Sequence, residues 1–277
     1  MGSPHGLGAR GGQAMADADW HKYKQLRGHE LPESVVLLDT DYVREQVLKR
    51  DFYATVGIYT RADGRSGTTP LRVLLKIYHA DSLWGFPLGW MGRWLCRREM
   101  RFYRLLDGIE GIPRFLGTHG ESGLVREFVP GCNLREFRAK AKPGARFFVE
   151  LREILAKAHA RGVAHNDLSK PENVLVTEDG RPVLIDYQLA LAPRSQHWPV
   201  VGALPRAFVR FMQNIDRYHL TKLHRRARAE DFTDEHRKQL RRKSLVIRLH
   251  GVLLREPYRA VRHAVLPRWL MADGKAA

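Results

Sequence analysis

Apolar and polar residues alternate over Glu45–Tyr53 and again over Ala54–Thr60, which predicts two half-buried strands followed by a polar loop, Arg61–Thr69. Leu71-Arg-Val-Leu-Leu-Lys-Ile-Tyr78 reads as another strand, with one lysine, Lys76, inside it. From Pro87 to Leu106 the pattern becomes helical, with Pro87 near the first turn and Gly108 beyond the end. Phe115–Thr118 and Leu124–Val129 are predicted strands around a His119–Gly123 turn. Phe147, Phe148, Leu151, Ile154, Leu155 and Ala158 share one helical face, and Gly162 is placed to end that helix. Asn173–Thr177 and Arg181–Asp186 are short strands joined by the hairpin-like turn Glu178-Asp-Gly180.

Composition adds a partner class. With 277 residues, 44% of them hydrophobic, the chain can bury a core, and its +17 net charge points to a polyanionic partner. Nucleic acid, an anionic membrane surface and phosphorylated ligands all fit that description. Much of the excess lies beyond Pro193, where residues 194–277 hold 19 Lys plus Arg against 7 Asp plus Glu. Two cysteines far apart, Cys96 and Cys132, exclude a disulfide-stapled scaffold and a four-cysteine zinc site. His159, His219 and His224 show no zinc-ligand spacing with carboxylates or cysteine. The longest uncharged apolar run, Ser82–Gly92, has 11 residues, too few to span a bilayer. Met1–Met15 lacks the apolar stretch of a secretory signal, and Gly6 stands where a myristoylation pattern needs Ser or Thr. A cytoplasmic location is the expectation.

The chemistry concentrates in Gly162-Val-Ala-His-Asn-Asp-Leu-Ser-Lys-Pro-Glu-Asn-Val-Leu-Val176 and Val183-Leu-Ile-Asp-Tyr-Gln-Leu189. A helix ends, a polar loop presents Asp167, Asn173 opens a strand, and a hairpin later Asp186 ends an apolar strand. Phosphoryl transfer to a hydroxyl needs this set: one carboxylate at the acceptor, and an Asn and a second carboxylate holding Mg²⁺ on the phosphates.

These segments resemble the protein-kinase-like superfamily. His165-Asn166-Asp167 is similar to its His-Arg-Asp triplet, Asp186-Tyr187-Gln188 to Asp-Phe-Gly, and Val73-Leu-Leu-Lys76 to Val-Ala-Ile-Lys. The ordered matches run from about Glu45 to Leu191. The resemblance implies that Asp167 orients or deprotonates the acceptor hydroxyl and that Asn173 and Asp186 bind Mg²⁺. It implies that Lys76 contacts the α- and β-phosphates of ATP and pairs with Glu99, and that His165 braces the catalytic loop. Glu127-Phe-Val-Pro-Gly131 resembles the hinge, so the backbone of Glu127 and Val129 would receive adenine.

Several departures shape the expectation. Six positions, not five, separate Asp167 from Asn173, so either the loop bulges or Asn173 is displaced. Asn166 replaces the Arg that receives an activation-loop phosphate, which speaks against regulation of that kind. Gln188 replaces Gly, and no Ala-Pro-Glu platform for peptides follows. The glycine-rich loop is missing; Lys49 and Arg50 are candidates to contact phosphates in its place, or sit in a solvated turn. Arg126 falls near the gatekeeper position, where it either narrows the adenine pocket or points outward. Together these resemble the atypical bacterial relatives, the RIO-type and lipopolysaccharide-core sugar kinases.

Residues 82–98 carry three of the six tryptophans, with Arg93, Arg97 and Arg98, a composition suited to a membrane interface or to packing on the sheet. Lys222–Arg228, Arg237–Lys243 and Arg255–Arg268 interleave basic and apolar residues, which suits an anionic membrane surface better than RNA, since few aromatics are available for base stacking, or suits solvated helices that complete the second lobe. The expected fold is a two-lobed, protein-kinase-like α+β protein with a basic helical C-terminal extension. Its expected parts are a flexible arm (1–19), an N-lobe (20–125), a hinge and catalytic core (126–193) and a basic helical region (194–277). The expected activity is ATP- and Mg²⁺-dependent transfer to a membrane-associated sugar or lipid hydroxyl, peripheral on the inner membrane face. The alternatives are an atypical serine/threonine kinase and a pseudokinase scaffold that docks membrane or RNA through its tail.

Overall fold

The computed structural model describes residues 30–50, 54–64, 69–79, 89–193 and 203–232. The arm 1–19, the first part of the Trp-Arg segment (82–88) and the basic stretches 237–243 and 255–268 lie outside the described residues.

Six antiparallel strands form the first layer, β1 (Ser34–Leu37), β2 (Thr40–Arg50), β3 (Ala54–Arg61), β4 (Arg72–Tyr78), β5 (Phe115–His119) and β6 (Gly123–Glu127), in the order β1-β2-β3-β4-β6-β5. β1 and the early start of β2 were not expected from the sequence. They are joined by a two-residue turn in which Leu38 and Asp39 have φ of 54° and 56°. That geometry favours Asn-Gly, so a Leu-Asp pair gives no hairpin signal. Alternation along β4 sends Val73 and Leu75 to one face, where they pack with Leu31, Leu37, Tyr42, Tyr59 and Val125. Leu74, Lys76 and Tyr78 point to the other face, toward α1 (Gly89–Leu105).

Helix α1 buries Leu95, Cys96, Glu99, Met100, Phe102 and Tyr103. Glu99 is thus carried on an otherwise apolar face turned toward the lysine strand. Trp90 and Trp94 stand on the opposite side, 60% and 50% exposed, so within α1 these two rings are not sheet core.

The second layer is helical around a small sheet. β7 (Gly131–Asn133), β8 (Val174–Thr177) and β9 (Pro182–Leu184) pair in the order β7-β8-β9. At Gly131 φ is 138° and a Cβ would collide with Val176 O, so only glycine fits where the chain leaves the first sheet. Asn133 caps α2 (Leu134–Lys140) by accepting the Glu136 N–H at 3.0 Å. Helix α3 (Phe147–Ala160) buries the predicted face, and Gly162, with φ of 75°, ends it by donating to His159 O at 2.9 Å. Helix α4 (Ala203–Ala227) lays Val209, Met212 and Ile215 against Ala164, and Leu220 and Leu223 into the main core. That core runs without a break from Tyr78 and Leu95 through Phe148 to Leu223, so the α+β layers are two lobes of one body.

Candidate active site

Lys76 lies where the lobes meet. Its Nζ donates to Glu99 Oε2 at 2.8 Å and to Asp186 Oδ1 at 3.3 Å. Burial alone would discharge the ammonium, but the Asp186 and Glu99 carboxylates hold its pKa well above the ordinary value. Asp186 responds in kind: against the effect of burial, Lys76, Lys49 and Lys170 draw its carboxyl down to about 2. Tyr78, two positions beyond Lys76 on the same face, donates its buried hydroxyl to Glu99 Oε2. Glu99 is therefore held by two donors from one strand.

The acidic loop approaches from below. Asp167 accepts from Lys170 Nζ at 2.6 Å and from Asn173 Nδ2 at 3.0 Å, both at Oδ2. Asn173 Nδ2 also donates to the Asp167 main-chain oxygen at 3.0 Å. Lys170 N–H donates to Asp167 O at 3.4 Å and Asn173 N–H to Lys170 O at 3.2 Å, so two consecutive turns take up the six positions and Asn173 stays against Asp167. Ile185 N–H donates to Asn173 O at 3.0 Å, which ties the residue before Asp186 to the same turn. His165 Nε2–H donates to Ile185 O at 3.0 Å while its Nδ1 accepts the Asp167 N–H at 3.3 Å, so one neutral tautomer satisfies both bonds.

Asn166 and Asp186 both sit in the left-handed region, with φ of 61° and 67°. Such backbone costs about 1–3 kcal/mol per residue and persists only where its surroundings impose it. Here Asp216 of α4, fully buried, accepts the N–H groups of His165 at 2.7 Å and Asn166 at 2.8 Å. Its Oδ2 also takes His159 Nε2–H at 3.1 Å. Tyr187 packs edge-on to Tyr103 and against His165, with centroids 5.3 and 4.9 Å away. Its buried hydroxyl has no hydrogen-bond partner among the described residues.

The remaining predicted positions fall around this cluster. Lys49 is exposed near the end of β2, and its charge is one of those felt by Asp186. Arg50, equally exposed, reaches Glu30 at 3.5 Å. Arg126 points inward: it is 6% exposed, lies opposite Leu74 in the β4–β6 register, and donates to Glu127 O at 3.0 Å. The Glu127 side chain turns to Arg114 instead of the cleft, leaving only its backbone at the hinge; Val129 is half-buried just beyond it. Asp216, Lys170, Tyr78 and Arg98 complete the cluster without having been singled out for it from the sequence. Lys170, three residues from Asp167, carried the one local signal; the others meet their partners only through tertiary packing.

The donors fit Mg²⁺. Asp186 offers a carboxylate oxygen, and Asn173, with its amide N–H bonded to Asp167, has its carbonyl oxygen for a cation. Hard oxygen donors in this number suit a magnesium ion that is otherwise held by phosphates and water.

No family model matches the chain. Curated relatives include plant protein kinases, several of them serine/threonine-protein kinases by name. CBL-interacting protein kinase 16 of Oryza sativa subsp. japonica is 34% identical over 103 residues, 35% of this chain and 22% of the relative. Serine/threonine-protein kinase KIPK1 of Arabidopsis thaliana is 43% identical over 77 residues, 25% of this chain and 8% of the relative. CBL-interacting serine/threonine-protein kinase 5 of Arabidopsis thaliana is 29% identical over 127 residues, 44% and 28% of the two chains. The chain thus spans less than a third of the length of these relatives. With the fold, they support the protein-kinase-like superfamily; the narrower likeness to RIO-type and lipopolysaccharide-core kinases finds no support in them.

Proposed function

We propose that the chain transfers the γ-phosphoryl group of ATP, with Mg²⁺, to the hydroxyl of Ser or Thr in a protein. The observation that carries this is the convergence of Lys76, Glu99 and Asp186 with Asp167, Lys170 and Asn173 at the junction of the two lobes. Bound Mg²⁺ would neutralise phosphate charge, with Asp186 and Asn173 as its protein ligands. Lys76, fixed between two carboxylates, is aimed to hold the α- and β-phosphates. Asp167 commits Oδ2 to Lys170 and Asn173, and its Oδ1 has no partner among the described residues. That oxygen accepts the acceptor's O–H and takes its proton as the new O–P bond forms and ADP leaves. Lys170, beside it, offsets charge on the transferring group. The relatives, all protein kinases by name and two of them serine/threonine-protein kinases, favour a protein acceptor.

A second reading keeps a sugar or lipid hydroxyl at the inner membrane face as acceptor. Its support is on α1, where exposed Trp90 and Trp94 stand with Arg97, an interfacial composition. No helix among the described residues is long and apolar enough to cross a membrane.

Labelled γ-phosphate ATP offered with Mg²⁺, a mixture of Ser/Thr-bearing protein substrates and anionic vesicles containing envelope lipid decides between them. Label on protein, absent with Asp167→Asn, is the expected result. Label in the lipid fraction alone selects the second reading. No transfer and no nucleotide binding refutes both and favours the scaffold.

A further inference from the structure

Arg98 precedes Glu99 on α1 yet addresses a different element. Its Nε donates to Gln188 O at 3.1 Å and its Nη2 to Ala190 O, across 90 and 92 positions of chain. The guanidinium also lies over the rings of Trp94 and Phe102, 5.3 and 5.5 Å from their centroids, which fixes its plane.

The stretch it holds begins at Asp186 and is gripped from the catalytic loop as well. His165 Nε2–H donates to Ile185 O, Asn166 Nδ2 donates to Leu189 O at 3.3 Å, and Ala164 and Leu191 exchange both main-chain bonds at 2.8 Å. Ala190 N–H donates to Tyr187 O at 3.0 Å. The carbonyls of Ile185, Tyr187, Gln188, Leu189, Ala190 and Leu191 are therefore all bonded, to donors from α1, from residues 164–166 and from the segment itself.

Position 166 is Asn, so the loop itself offers no cation to a phosphate at that point. The cation comes instead from α1, and it binds carbonyls. We infer that Arg98 is a positioning residue that locks α1 to the segment after Asp186, so that Glu99, Lys76 and Asp186 stay assembled without phosphorylation of that segment. Glu99 and Asp186 approach the same ammonium from two different elements. Arg98 couples those elements directly, and neither can shift without breaking its two bonds. A planar guanidinium can serve two carbonyls at once; a lysine ammonium at the end of a flexible stem cannot hold both in a fixed relation. The catalytic consequence rests on the phosphotransferase reading, whereas the mechanical coupling does not.

The test compares phosphatase-treated wild type, its lack of phosphate confirmed by intact mass, with Arg98→Ala, Arg98→Lys and Asp167→Asn. Hydrogen exchange without nucleotide reads the coupling. In Arg98→Ala, amides of 187–191 and of α1 are expected to exchange about tenfold faster or more, with Arg98→Lys recovering only part. Asp167→Asn is expected to leave α1 exchange unchanged. Turnover reads the consequence: unphosphorylated wild type is active, while Arg98→Ala needs more Mg²⁺ for half-maximal rate and is partly restored at high Mg²⁺. A general loss of stability would not move that Mg²⁺ dependence. Wild-type exchange in Arg98→Ala, full recovery by Arg98→Lys, or turnover that depends on phosphorylation of the segment overturns the inference. If wild type transfers no phosphate at all, the phosphotransferase reading fails by itself, and exchange alone still decides the coupling.

Discussion

Asp216 accepts the main-chain N–H of His165 at 2.7 Å although 51 positions separate them. Helix α4 thereby holds the loop carrying Asp167, and holds it by its backbone. Asp216→Ala strands two buried N–H groups and the His159 ring, so unfolding free energy should fall by about 3 kcal/mol, with turnover reduced further than nucleotide affinity. Asp216→Asn keeps one acceptor oxygen and should lose roughly half as much. Urea unfolding at neutral pH measures both.

Lys76→Met leaves the Glu99 and Asp186 carboxylates without their shared cation in a buried place. A loss of about 3 kcal/mol is expected, together with loss of turnover. Adding Glu99→Gln to Lys76→Met should return part of the stability and none of the activity. A double-mutant cycle by denaturation checks the first, and a steady-state assay the second.

Tyr78→Phe removes the second donor to Glu99 and keeps the ring in the core. In the proposed reaction Lys76 would turn to phosphates, and Tyr78 would then be the group that keeps Glu99 in place. The variant should fold with a cost of about 1 kcal/mol and lose about tenfold in kcat/KM for ATP. Equal kinetics for wild type and variant would show that Lys76 alone positions Glu99.

His224 should make the α3–α4 corner acid-sensitive. The ring stacks on Phe148, accepts from Arg152 Nη2 at 2.7 Å through Nδ1 and donates from Nε2 to Asp231 at 2.8 Å, all in its neutral form. Burial, outweighing the upward pull of Asp231, holds its pKa below the ordinary 6.5. The unfolded chain therefore binds this proton more readily, and the stability the neutral ring contributes is present above about pH 6.5 and lost as pH falls through the lower folded value. The thermal midpoint of wild type should drop between about pH 7 and pH 5.5, and His224→Leu should flatten that part of the profile.

Much of the site is legible in the sequence because its pieces are local. The run around His165 and Asp167, the hairpin leading to Asp186, and a lone lysine in an apolar strand each announce themselves within a dozen residues. Glu99 was reached through the resemblance alone, as the acid on the helix after the lysine strand. Asp216 was not: one acid in a basic amphipathic helix looks like any other until packing sets it under the catalytic loop. Arg98 was noted only as part of a Trp-Arg segment suited to a membrane interface or to packing on the sheet, because nothing local shows that it turns to carbonyls 90 positions away. The β1–β2 hairpin escaped for a different reason, since Leu38 and Asp39 adopt positive φ that their residue types do not advertise. The six-residue spacing from Asp167 to Asn173 left two geometries open, and the bond from Asn173 Nδ2 to Asp167 Oδ2 shows that Asn173 is not displaced.

The most direct test is single-turnover transfer from Mg-ATP by wild type, Asp167→Asn and Asp186→Asn, each first shown to be folded by its thermal midpoint. Wild type should transfer the γ-phosphoryl group, and each variant should be slower by at least about a hundredfold, because positioning and charge neutralisation carry most of this catalysis. A folded Asp186→Asn protein that turns over at near the wild-type rate would contradict the proposed site.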